Sequence, residues 1–262
     1  MTEELVIERR DAAAWFTLNR ADDLNSLNRG LLKALELGLT EALADQSVRT
    51  IVFTGAGRAF CAGADLKFID SQPEQDRNEA TAAFLLAATT LISRIATSPK
   101  PTIAAVNGVA VGGGLELLLA CDIILAVRGA PIGDGHANYG LLPGAGSSIR
   151  LPRRIGIGRA KQLLFTGELL PAERWAEFGL VNEVVDPGDL QARAHAIATA
   201  IAAKSPIGLA RMKQIVDHAF DMSESAGLAL EQALGNLHTT SFDRNEGLAA
   251  FRERRAPIFL GR

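Results

Sequence analysis

The stretch from Lys100 to Ala126, KPTIAAVNGVAVGGGLELLLACDIILA, constrains this chain more than any other segment. Its apolar run from Thr102 to Val127 has the length of a membrane span, but it carries Asn107, Glu116, Asp122 and four glycines, a load the hydrocarbon of a bilayer rarely tolerates. The run therefore has to be buried inside protein, and its glycines divide it. TIAAVNG reads as a buried strand ending in a turn, LELLLACD as the start of a helix, and DIILAV from Asp122 as another strand.

The same alternation holds through the first half of the chain. LVIER from Leu5 and AWFTL from Ala14 are strand-like, Leu31, Leu32, Leu35, Leu39 and Leu43 recur at helical spacing, and TIVFTGAG from Thr50 to Gly57 is a β-branched run stopped by glycines. A further helix is predicted over roughly Thr81 to Thr97, and the polar, proline-containing Ser71–Glu79 stretch is predicted to be a mobile loop. Strands alternating with helices indicate an α/β core. From Arg159 onward the pattern reads as almost wholly helical, with stops at Pro171, Pro187, Pro206 and Gly235, so Ile207–Arg254 is expected to form a helical appendage. A chain of 262 residues can bury one large core with a small appended region.

Charge removes other classes. With 27 Lys+Arg against 30 Asp+Glu the net charge is −3, whereas a general nucleic-acid binder carries excess positive charge to displace counterions from phosphates. Any phosphate partner must be met by local cations. The cluster Arg150, Arg153, Arg154, Arg159 and Lys161 reads as a solvated helix face. Cys61 and Cys121 are too few and too far apart for a disulfide framework or a zinc site, and are expected as buried thiols. MTEELVIERRD lacks an apolar signal core, so the expectation is a soluble, cytoplasmic protein with no membrane partner.

The rival chemistries of a glycine-rich α/β chain fail on their motifs. Gly55-Ala-Gly57 has Phe60 and Gly156-Ile-Gly158 has Lys161 where a dinucleotide fingerprint needs its third glycine. There is no phosphate-loop or G-x-S-x-G motif, and His136, His195, His218 and His238 form no H-E-x-x-H pair, which favours a metal-free site. Two glycine-rich turns remain, Gly55–Asp65 and Asn107–Glu116, each following a buried strand. Small residues there leave amide N–H groups unblocked, and two such turns converging would make an oxyanion hole. Glu116 lies three residues after Gly113, on the same helix face, where burial should raise its pKa into general-base range. Against this stand the simpler readings that the glycines only allow close helix–strand packing and that Glu116 only complements its own helix N-terminus. Asp122 reads as a turn or strand-start residue.

AFCAGADLK (Ala59–Lys67), the Lys100–Ala126 stretch, LLPGAG (Leu141–Gly146) and TGELLPAERWAEFGLVNEVV (Thr166–Val185) together resemble the crotonase superfamily, the enoyl-CoA hydratase/isomerase family, over nearly the whole chain. The resemblance implies a core of spiralling ββα turns over residues 1–200 with an acyl-CoA site, and a C-terminal helical region over 201–262 that builds trimers or hexamers and contacts CoA. It implies no separate cofactor, coenzyme A being part of the thioester substrate. It places the oxyanion-hole amides at Ala64 and Gly113. CoA contacts fall at Arg58, Ala62, Asp65, Leu66, Lys67, Phe251 and Arg254. Glu116 matches the first of the two hydratase glutamates, but the second position, counted back from PGAG, is His136. An imidazole can exchange protons near neutral pH, yet differs in charge and reach from a carboxylate. Asp134 is a candidate substitute carboxylate, and Glu116 acting alone remains open. The expected reaction is hydration of a 2-enoyl-CoA. The alternatives are an enoyl-CoA isomerase, a CoA-thioester or C–C hydrolase, and a non-catalytic CoA- or RNA-binding member. The acyl pocket is expected near Ser71–Glu79, Phe84, Tyr139 and Leu141.

Overall fold

Three times in succession the chain makes a long buried strand, a short strand and a helix. The computed structural model, which describes residues 3–71 and 73–262, opens with the antiparallel pair β1 (Leu5–Arg10) and β2 (Ala13–Leu18), followed by α1 (Arg29–Ala44). The first repeat is β3 (Thr50–Gly55), β4 (Ala59–Cys61), α2 (Leu66–Asp70) and α3 (Arg77–Ala96). The second is β5 (Thr102–Val106), β6 (Val109–Val111) and α4 (Gly113–Leu119). The third is β7 (Ile123–Val127), β8 (Pro131–Gly133), a 3-10 turn over His136–Tyr139, and α5 (Ser147–Ile155). After them come α6 (Ile157–Thr166), β9 (Leu170–Pro171), α7 (Ala172–Glu177), β10 (Glu183–Val185) and α8 (Leu190–Ala202). The chain ends in α9 (Pro206–Asp217), α10 (Glu224–Thr239) and α11 (Phe242–Glu253).

The long strands, with the three-residue β10 at the edge, lie in a six-stranded sheet of order β1-β2-β3-β5-β7-β10, parallel except at β1–β2, and the other short strands in a four-stranded sheet of order β4-β6-β8-β9. This is an α/β spiral of ββα units with a C-terminal helical region. Parallel strands covered on both faces need continuous apolar sequence, and Ile51, Val52, Phe53, Ile103, Ala104, Ala105 and Val106 are all fully buried. On α1 the predicted stripe buries Leu31, Leu32, Leu35 and Leu39, and Asn28 caps the helix by accepting from the Leu31 N–H at 2.7 Å.

Several expectations change. The helix predicted from Thr81 begins at Arg77, inside the Ser71–Glu79 stretch, whose Gln72 lies outside the described residues. α3 is long and apolar enough to cross a membrane by composition, but its Phe84, Ala88, Leu91, Ile92 and Ile95 pack into the core. The region after Arg159 is less purely helical than expected, because Glu183–Val185 pairs with β7 as the sheet's last strand. Its three residues are too short a run to show a period. Gly235 does not stop a helix: it lies within α10, on an open face where the missing side chain costs only propensity.

In the C-terminal region α9 and α10 bury no residue within the chain. Polar contacts hold it. Lys213 on α9 pairs at 2.8 Å with Asp122, which also accepts from the Thr102 N–H, so Asp122 is a strand-start residue tying β5 to α9. Asp243, buried at the start of α11, accepts from the Ser205 hydroxyl and from the Leu260 and Gly261 amides and so pins the tail.

Candidate active site

The site is built where the chain passes from the large sheet to the small one. At each crossing the backbones come so close that a side chain has no room: a Cβ on Gly55 would stand 2.1 Å from the Ala59 carbonyl oxygen, and one on Gly108 2.1 Å from that of Arg58. Asn107 stitches these turns together, accepting from the Gly55 N–H at 2.9 Å and donating to the Gly57 carbonyl at 3.0 Å. Asn25, fully buried with φ of 58°, donates to the Ala56 and Ala59 carbonyls from the other side. Sequence motifs do not flag Asn25. For Asn107 the only signal is its place between a strand and Gly108.

With the turns held in this way, the two glycine-rich segments converge. A Cβ on Gly113 would lie 3.5 Å from the Gly63 Cα, and one on Gly114 2.0 Å from the Cys61 carbonyl oxygen. Ala64 bridges to Leu27, but the bridge uses the Leu27 and Asp65 amides, and among the described residues the N–H groups of Ala64 and Gly113 donate to no acceptor. Gly113 opens α4, where N–H groups have no intrahelical partner. Gly112, with φ of 55°, makes the bend a side chain would strain.

Glu116 follows on the first turn of α4 and is 3% exposed. Its Oε1 accepts from the Ala145 N–H at 2.6 Å and the Ser147 N–H at 3.2 Å, and Oε2 has no hydrogen-bond partner among the described residues. Burial pushes its pKa up, partly countered by those two amides and by His136. His136 stands beside the same bend, its Nε2 3.7 Å from where a Gly112 Cβ would be. The other ring nitrogen, Nδ1, lies 2.8 Å from Asp134 Oδ1, which also accepts from the His136 backbone N–H. Burial disfavours the imidazolium, but the Asp134 hydrogen bond and the charges of Asp134 and Glu116 outweigh it and raise the His136 pKa. Asp134 is itself buried, and its Oδ2 has no partner among the described residues. Asp134 is therefore placed to orient the His136 ring.

The outer residues are spread around the first turn. Arg58 is exposed, and the Ala62 N–H donates to the Leu24 carbonyl. Asp65 pairs with Arg20 at 2.8 Å, Leu66 is exposed, and Lys67, largely in solvent, pairs with Asp23 at 3.1 Å. Phe251 on α11 and Arg254 just past its end are exposed, and within one chain no hydrogen bond or ion pair joins them to the turns among the described residues. Phe84 is buried against Phe68, whereas Tyr139 and Leu141 face solvent. The basic cluster is not one solvated face. Arg150 folds inward onto the Ala145 carbonyl at 2.7 Å, and Arg154 donates to the Cys121 carbonyl, because α5 packs against α4 at the site.

Comparison with known proteins places the sequence and the fold in one family. The sequence profile of the Enoyl-CoA hydratase/isomerase family matches residues 8–262. The chain is 37% identical over 260 residues to the 2,3-dehydroadipyl-CoA hydratase of Escherichia coli K12, covering 99% of both chains. It is 35% identical over 253 residues to the short-chain-enoyl-CoA hydratase of Clostridium acetobutylicum, covering 96% of this chain and 95% of that one. The crystal structure of an enoyl-CoA hydratase from Bacillus anthracis superposes with a TM-score of 0.94 at 36% identity, over 99% of this chain and 100% of that one.

Proposed function

The chain belongs to the enoyl-CoA hydratase/isomerase family, and from that premise we propose that it adds water across the double bond of a 2-enoyl-CoA to give a 3-hydroxyacyl-CoA. The observation that carries this reading is that Glu116 and His136, two acid–base groups with unlike environments, flank one bend whose Gly113 N–H is uncommitted. In the proposed reaction the thioester oxygen sits between the Ala64 and Gly113 amides, which stabilise the enolate as charge moves onto that oxygen. Glu116 takes a proton from water through Oε2 while the hydroxyl adds to C3. His136, protonated, gives a proton to C2 through Nε2. One water is consumed, Glu116 ends protonated and His136 neutral, and a proton passing from Glu116 to His136 resets the site.

Arg58, Lys67 and Arg254 are the cations proposed for the CoA phosphates, with Ala62, Asp65, Leu66 and Phe251 around the rest of the CoA. The Lys67–Asp23 pair is exposed and so worth little, which lets a phosphate displace it. Met212, Val216 and Phe220 on and after α9 and Leu228 and Leu237 on α10 are exposed apolar side chains, supporting assembly of this region into trimers or hexamers. Light scattering is expected to give three or six times the chain mass, and a monomer would reject that part.

The reaction is tested by its product. Incubation with a short trans-2-enoyl-CoA is expected to yield the 3-hydroxyacyl-CoA, with one deuterium fixed at C2 in heavy water. Conversion of 3-enoyl-CoA to 2-enoyl-CoA without hydration would identify an isomerase instead, and release of free CoA a hydrolase.

A further inference from the structure

Arg150 stands one helical turn into α5, half-buried, and among the described residues no carboxylate lies within ion-pair distance of it. Its guanidinium folds back over Gly146, where φ is 124° and a Cβ would lie 2.0 Å from Nη1. Nη1 donates to the Ala145 carbonyl at 2.7 Å, and Nη2 reaches the Ser93 hydroxyl of α3 at 3.4 Å. Ala145 and Ser147 on either side of Gly146 supply the two amides that hold Glu116 Oε1. The peptide carrying the Ala145 N–H is gripped at its other end as well, because the Gly144 carbonyl accepts from the Thr89 hydroxyl at 2.6 Å.

We propose that Arg150 is a positioning residue for Glu116: it locks the Ala145–Ser147 backbone so that both amides point at one carboxylate oxygen, and it supplies the nearby positive charge that carboxylate meets on α5. The inference rests on the reading of Glu116 as an acid–base group. Two consequences follow from the geometry. Loss of the guanidinium frees the Gly146 bend, which has no side chain of its own to hold it, and the Glu116 carboxylate drifts from its working position. Loss of the charge also makes ionised Glu116 harder to sustain in its buried setting, where burial disfavours the Arg150 charge and Glu116 favours it. The other titratable groups whose charge reaches Glu116 are Asp134 and His136 from the segment after β8.

The test is the pH dependence of kcat for 2-enoyl-CoA hydration in Arg150→Gln, Arg150→Lys and Glu116→Gln, measured on the intact assembled protein. In Arg150→Gln kcat is expected to fall about 10²-fold with KM for the thioester changed less than about twofold, as for a small misplacement of a reacting group. Its acidic limb is expected to move to higher pH, and Arg150→Lys, which keeps the charge, to return the limb to the parent position. A limb that stays in place in Arg150→Gln overturns the proposal, since a merely structural loss lowers kcat without moving it. If Arg150→Gln does not fold, the double variant with Glu116→Gln decides. A fold recovered by removing the carboxylate charge supports the proposal, and one not recovered overturns it. Parent-like turnover in Glu116→Gln would instead reject the hydratase reading, whereas an inactive Glu116→Gln beside an unmoved limb rejects the role of Arg150 alone.

Discussion

Replacing Glu116 by Gln is expected to lower kcat for 2-enoyl-CoA hydration by about 10²- to 10⁴-fold, the range lost when a general base is removed. KM is expected to stay within about threefold, because the cations proposed for CoA and the Ala64 and Gly113 amides remain in place. The substitution isolates the chemistry. A Gln side-chain oxygen can still accept from the Ala145 and Ser147 amides that hold Oε1, so only the group at Oε2 changes, from a proton acceptor to an amide. Stability gives an independent check. Burial raises the Glu116 pKa above its ordinary 4.5, so the folded protein is most favoured with the carboxyl protonated. Stability attributable to this residue declines as pH rises from the unfolded value through the raised folded one, and is fully lost above it. Glu116→Gln removes that decline, so at neutral pH the variant should unfold at a temperature no lower than the parent. An inactive variant that is also less stable would mean the carboxylate is structural.

Much of the fold was legible because its signals are local. Gly63, Gly112, Gly113 and Gly114 announce close approach of backbone to backbone, and the spacing from Gly113 to Glu116 already places the carboxylate beside the bend. What stayed hidden depends on distance in sequence. Arg150 reads as one member of a basic helix face until α5 is packed on α4, when its side chain turns inward to a carbonyl. The β10 strand is too short to carry a period and becomes a strand only by pairing with β7. Asn25 and Asn107, which fasten the two crossings, look like ordinary loop polar residues until the carbonyls they meet, more than thirty positions away, are brought beside them. Asp134 was visible as a nearby carboxylate, but only the fold assigns it to His136 Nδ1 rather than to the bend itself.

His136 is where the proposed chemistry diverges from two paired carboxylates, and its variants carry the second large expected effect. His136→Gln should cost about 10²- to 10³-fold in kcat, the contribution of one positioned proton donor. Asp134→Asn is expected to act through the same group without removing it. The buried carboxylate charge and its 2.8 Å contact with Nδ1 hold the imidazolium against burial and keep the His136 pKa above 6.5. Without that charge burial prevails, and the protonated fraction at neutral pH falls. Since the donor works in its protonated form, activity declines as pH rises through the His136 value, and Asp134→Asn should move that alkaline limb to lower pH while leaving the acidic limb of Glu116 nearly in place. The folding linkage has the same sign: stability from the pair is full below the ordinary histidine value and is lost as pH rises through the raised one. At acidic pH, where His136 is charged in either protein, the two kcat values should converge if the Asn side chain preserves the ring's orientation. The parent needs Asp134 most above neutrality, so the ratio of the two activities must grow with pH. A ratio flat across the range would mean that Asp134 sets only the packing of its segment and that His136 gives up its proton by another route.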